Sequence, residues 1–121
     1  MTKKVMKFGG SSLANAARIR SAAKIVAEEA GKGTSLAVVV SAMGKTTEGL
    51  LGLAEEVSCT TDRRELDQLL ASGEQQSAAL FSLALKDLGV PARSYTGAQA
   101  GIRASGMWMD GRICEIVPTA I

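Results

Sequence analysis

Apolar and polar positions alternate along the chain in blocks that read as strand, helix and strand. Val5 to Phe8 is a short apolar cluster that predicts a buried strand ending at Gly9-Gly10. From Leu13 onward, Ala16, Ile19, Ala23, Val26 and Ala30 recur at spacings of three and four, the stripe of an amphipathic helix. Ser11 or Ser12 would cap it, and Gly31-Lys32-Gly33 would end it. Leu36-Ala37-Val38-Val39-Val40 is uninterrupted and apolar, the pattern of a strand buried on both faces. Together these segments predict a βαβ unit with parallel strands and a right-handed crossover.

A second helix is expected after Thr46 and Thr47, with Leu50, Leu53, Ala54 and Val57 inward and Thr47 capping the first turn. Helical pattern resumes from Asp62 through Leu66, Leu69 and Leu70. Ser72-Gly73-Glu74-Gln75 has the form of a capping box, so it predicts a break and a restart. The restarted helix would turn Leu80, Phe81, Ala84 and Leu88 inward and stop at Gly89. Val90 to Thr96 is a third strand candidate, with Pro91 tolerable only near its beginning. Gly97 to Gly111 lacks clear periodicity and reads as a glycine-rich loop with one short strand, followed by a strand from Arg112 to Val117.

Composition narrows the classes. A chain of 121 residues is one domain at most, and a hydrophobic fraction of 46% is enough to build a core. The 14 basic and 12 acidic side chains are interspersed, so no nucleic-acid footprint emerges. Gly9 and Gly10 interrupt the basic start before a signal-peptide core can form, and Leu36 to Val40 is far too short to span a membrane. A cytoplasmic location is therefore expected. Cys59 and Cys114 are too few and too far apart for a metal site or disulfide framework, and both are expected to be reduced and structural.

The candidate chemistry lies where strands end and helices begin, the ligand-binding edge of a parallel α/β sheet. Lys7 with Gly9-Gly10 follows the first strand. Glycines let backbone amides approach a polyphosphate, the helix start adds unpaired donors, and the lysine adds a full charge. Ser41 to Thr47 follows the second strand, Ser72-Gly73-Glu74 opens a helix, and Thr96 to Gln99 follows the third strand. Singly, each has an ordinary structural reading: a tight turn, a threonine cap, a carboxylate placed by the helix dipole, a solvated lysine. Gly44-Lys45-Thr46 is no Walker A loop, because that motif needs glycine where Val39 stands.

In combination, Lys7-Phe8-Gly9-Gly10-Ser11-Ser12, Val38 to Thr47, Leu70 to Gln75 and Arg93 to Ile102 resemble the successive signatures of the aspartokinases, in order, from Val5 to about Ile116. Ser11 stands where many members carry threonine, which keeps the hydroxyl. The resemblance implies the amino acid kinase fold, a three-layer α/β/α sandwich with a mainly parallel sheet, here truncated. It also implies transfer of the γ-phosphoryl group of ATP, with Mg2+, to the side-chain carboxylate of L-aspartate. The product, 4-phospho-L-aspartate, opens biosynthesis of lysine, threonine, methionine and diaminopimelate. Phosphoryl transfer depends mainly on positioning and charge neutralisation, so the absence of histidine is no objection.

By the same resemblance, Lys7 would act on the transferring phosphates as the catalytic residue. Phe8, Gly9 and Gly10 would form the phosphate-binding turn, with Ser41 lining that pocket, while Thr47 and Glu74 would hold aspartate. Glu74 suits the substrate ammonium through a charge-assisted bond. Relatives continue into an adenine and ribose pocket, an arginine and an aspartate at the reacting centre, and usually regulatory ACT domains. The 121-residue piece is therefore expected to be inactive alone and to associate with itself or with the missing part of the kinase domain, since an open sheet edge invites pairing. A non-catalytic binding or assembly module is the alternative. A kinase of the same family acting on glutamate fits the Ser41 to Thr47 and Thr96 to Ile102 segments less well.

Overall fold

The computed structural model describes residues 1–60 and 62–121. Strand β1 (Lys3–Phe8) pairs in parallel with β2 (Ser35–Val40), register running from Lys3 opposite Ser35 to Phe8 opposite Val40. Helix α1 (Ala16–Ala30) connects them, so the expected βαβ unit is present. Its buried stripe is Ile19, Ala22, Ala23 and Val26. The serines do not cap it. Ser11 and Ser12 belong to a single 3-10 turn (Gly10–Leu13) that drives Leu13 fully into the core, and α1 starts only after that residue is seated. Asn15, in extended backbone, is the cap: its side-chain oxygen accepts from the Arg18 amide at 3.0 Å. Gly33, with φ +79°, turns the chain into β2.

Alternation in the strands separates two faces. Met6, Phe8, Leu36, Val38 and Val40 pack on a core of Leu13, Ile19, Val26, Phe81 and Leu85. On the opposite face Val5 is 72% exposed and Val39 47%. The double-sided burial expected of β2 is thus not met among the described residues, because their helices cover one face only.

Helix α2 (Thr46–Val57) buries no residue completely. Leu50 and Ala54 are half-buried, whereas Leu53 and Val57, expected inward, are exposed. Thr47 is not its cap either, since the helix already includes Thr46 and the preceding Lys45 makes no capping bond.

Helix α3 (Arg63–Asp87) is 25 residues long and continuous, roughly 37 Å at the ordinary rise. The break expected at Ser72–Gln75 does not occur. The Ser72 hydroxyl donates backward to the Leu69 carbonyl at 2.6 Å, and the capping role falls to Asp62, which accepts from the Glu65 amide at 3.1 Å. A mid-helix glycine costs about 1 kcal/mol relative to alanine, and Gly73 is tolerated where it packs against the turn after β2. The buried stripe is Gly73, Ser77, Phe81 and Leu85, so Leu80 and Leu88, expected inward, stand exposed. Gly89, with φ +75°, ends the helix region as expected.

Val90 to Thr96 forms no strand. Val90 and Ala92 pack on the core, yet a cavity of about 810 Å³ lies between this segment and β2, lined by Leu36–Val40 on one side and Val90–Gly97 on the other. Among the described residues no ladder pairing joins it to β2, and Pro91 has no amide hydrogen to donate to one. Strands β3 (Ile102–Ser105) and β4 (Arg112–Ile116) fall where a short strand and a strand from Arg112 were expected, and they pair as an antiparallel hairpin, which the sequence reading did not include. Its tip is tied to α3: the Met109 amide donates to Asp67 at 2.8 Å, and Arg64 lies over the Trp108 ring. Cys59 and Cys114 are free thiols, as expected, but exposed rather than packed.

Candidate functional site

Because β1 and β2 run parallel and in register, their carboxyl ends lie side by side, and the turns that follow meet. The Gly44 amide donates to the Gly10 carbonyl at 2.9 Å. A Cβ on Gly10 would lie 2.8 Å from the Ala42 carbonyl oxygen, so glycine there is imposed by the close approach of the second turn. Gly9 differs: it is exposed, and a Cβ there would touch nothing within 4 Å. Of the two glycines, Gly9 is the one a ligand can approach freely.

Helix α3 reaches the same place from the side. A Cβ on Gly73 would meet the Ala42 methyl at 3.2 Å and the Thr46 methyl at 3.4 Å. Ala42, 5% exposed, is therefore held between Gly10 and Gly73. Three of the four polar segments picked out in the sequence converge on this residue. Glu74, next to Gly73, stands in the middle of α3 rather than at a helix start, so the dipole account of its position fails.

The remaining side chains distribute around this junction. Lys7 is exposed on the open face of the sheet, opposite Val39 in register. Phe8 points the other way and packs in a tilted arrangement on Phe81, ring centres 5.4 Å apart, which makes it a core residue that anchors the turn. Ser41 and Thr47 are half-buried. Glu74 borders the large cavity beside β2, together with Gln75, Arg93, Tyr95 and Thr96. Lys7, Gly9, Gly10, Ser41 and Thr47 do not border it.

Arg93, Tyr95 and Thr96 were not singled out as site residues, although their segment was. Arg93 lies 5.7 Å from the Tyr95 ring centre, and Thr96 and Gln99 exchange hydrogen bonds at 3.0 and 3.2 Å, which fixes the turn that follows. Among the described residues no group of three or more His, Cys, Asp or Glu side chains forms a ready-made metal cage. Glu29 has the lowered carboxyl, held at about 2 by hydrogen bonds from Lys4, Lys32 and Thr34, but it ties α1 to β1 away from this edge.

This geometry can be set beside known proteins. The sequence model of the amino acid kinase family matches residues 2–121. The chain belongs to the amino acid kinase family. It is 46% identical over 114 residues to an aspartokinase of Mycolicibacterium smegmatis, an alignment covering 94% of this chain and 27% of that protein. With an aspartokinase of Geobacillus stearothermophilus the identity is 47% over 117 residues, 97% of this chain and 29% of the relative. The crystal structure of aspartate kinase from Synechocystis superposes with a TM-score of 0.78 at 48% identity, over 84% of this chain and 17% of that one. The α/β fold of the amino acid kinase family is therefore the fold of this chain. It spans less than a third of the length of these curated relatives.

Proposed function

We propose that these residues form the phosphate- and aspartate-binding part of an aspartokinase, an enzyme that transfers the γ-phosphoryl group of ATP to the side-chain carboxylate of L-aspartate. The observation that carries this reading is the convergence of the Gly9-Gly10 turn, the Ser41 to Thr47 turn and the Gly73-Glu74 stretch on one sheet edge, in a chain 46–48% identical to aspartokinases. The Gly9 amide and the Lys7 ammonium face developing phosphate charge, the kind of fixed donor set that phosphoryl transfer uses. Phe8 contributes by anchoring the turn, and Ser41 supplies a hydroxyl to the same pocket. Thr47 and Glu74 hold the amino acid, Glu74 through the α-ammonium. The described residues offer no carboxylate cluster to hold Mg2+ by themselves, so the ion would be brought by the nucleotide and would supply charge neutralisation beside Lys7 and the Gly9 amide.

Exposed Val5 and Val39 on the open face of β1 and β2, and the cavity beside β2, support a polypeptide partner, a second copy or the rest of a kinase domain. Among the described residues no helix is long and apolar enough to cross a membrane. The reading is tested in a kinase that carries residues 1–121 as its amino-terminal part. Lys7→Ala should abolish turnover, and Glu74→Gln should mainly raise the aspartate KM. Normal turnover in the lysine variant would remove the first assignment. ATP and aspartate titrations on the 121-residue chain separate a working half-site, which binds both, from a scaffold, which binds neither.

A further inference from the structure

Ala42 is squeezed from two sides. Its carbonyl oxygen occupies the space a Gly10 side chain would need, and its methyl occupies the space of a Gly73 side chain, whose Cβ would stand 3.2 Å away. That distance is already tighter than ordinary packing, so any side chain at 73 pushes Ala42 or α3 aside by a few tenths of an ångström. The same Cβ would lie in ordinary contact with the Thr46 methyl at 3.4 Å and the Leu50 side chain at 3.6 Å, which leaves Ala42 as the neighbour that must give way. Thr46 and Leu50 belong to α2, whose second residue is Thr47.

We propose that the Ala42–Gly73 contact is a spacer that sets the separation between the turn after β2 and helix α3, and so the separation between Thr47 and Glu74. Ala42 and Gly73 are positioning residues: they act through the side chains beside them. Helix propensity alone would favour alanine at 73, and the steric need for Ala42 explains why glycine stands there. The inference rests on the functional reading above, since it concerns the distance between two groups assigned to the amino acid.

The test is steady-state kinetics on a kinase that carries residues 1–121. Gly73→Ala should raise the aspartate KM about three- to tenfold, because displacements well below 1 Å already disturb bound geometry. The ATP KM should change by less than about twofold, since the Gly9 amide lies outside the contact. Adding Ala42→Gly to Gly73→Ala vacates the contested space and should bring the aspartate KM back toward the parent value. A folded Gly73→Ala protein with lower thermal stability and an unchanged aspartate KM would overturn the spacer, as would failure of the second substitution to restore. If Gly73→Ala does not fold, Ala42→Gly alone must raise the aspartate KM, and an unchanged value would overturn the proposal. Glu74→Gln separates the levels: an unchanged aspartate KM there removes the functional reading, whereas a raised one beside a flat Gly73→Ala removes only the spacer.

Discussion

The two faces of the β1–β2 sheet differ in composition and in fate: the covered one is almost wholly apolar, whereas the open one mixes Lys3, Lys7 and Ser35 with Val5, Ala37 and Val39. On one, Met6, Phe8, Leu36, Val38 and Val40 are covered by α1 and α3; on the other, Val5 and Val39 stay exposed beside Lys7. Stability therefore resides on the covered face, where dispersion and apolar burial act together. The open face is free to carry chemistry or a partner, because little of the fold depends on it.

The largest effect that sharpens this contrast is expected at Phe81, 3% exposed and packed on Phe8. Phe81→Ala should cost roughly 3–5 kcal/mol, enough to unfold a small domain, as read by urea denaturation. A loss below about 1 kcal/mol would mean that the covered face is not the core. Next is Asn15→Ala, expected to cost about 1 kcal/mol through loss of the α1 cap, with Ser11→Ala and Ser12→Ala close to neutral. Equal effects at all three would restore the serines as caps.

A pH titration of stability should show the lowered Glu29 carboxyl. Its folded value, about 2, lies below the ordinary 4.5, so its ion-pair contribution is complete above 4.5 and is lost as pH falls toward 2. Glu29→Gln should remove that part of the acid sensitivity and leave stability above pH 5 nearly unchanged in its slope. The smallest change is on the open face: Val39→Thr should alter stability by less than about 0.5 kcal/mol, whereas a covered-face change such as Val38→Thr should exceed it.

Periodicity was enough to read β1, α1 and β2, because each element's own side chains determine it, and the residues of β4 were read as a strand without their pairing to β3. What escaped depended on contacts distant in sequence. Ser72-Gly73-Glu74-Gln75 carries the residues of a capping box, but the local signal cannot reveal that Ala42 fills the space above Gly73 and lets one helix run through. Val90 to Thr96 has strand-like residues, yet a strand exists only beside a partner, and the neighbouring edge of β2 lies across a cavity. Leu13, not the serines, set the start of α1, because its burial fixed the preceding turn. In the site, the segments were legible and their meeting at Ala42 was not. The segment holding Glu74 was expected to open a helix, a position it does not occupy, and Glu74 itself was assigned through the family resemblance.

The most direct test of convergence on one edge is amide NMR on isotope-labelled protein, adding MgATP and then L-aspartate. The account predicts nucleotide shifts at Gly9, Gly10 and Ser41 and aspartate shifts at Thr47 and Glu74. Shifts confined to the β3–β4 hairpin, or aspartate shifts that leave Thr47 and Glu74 untouched, would contradict it.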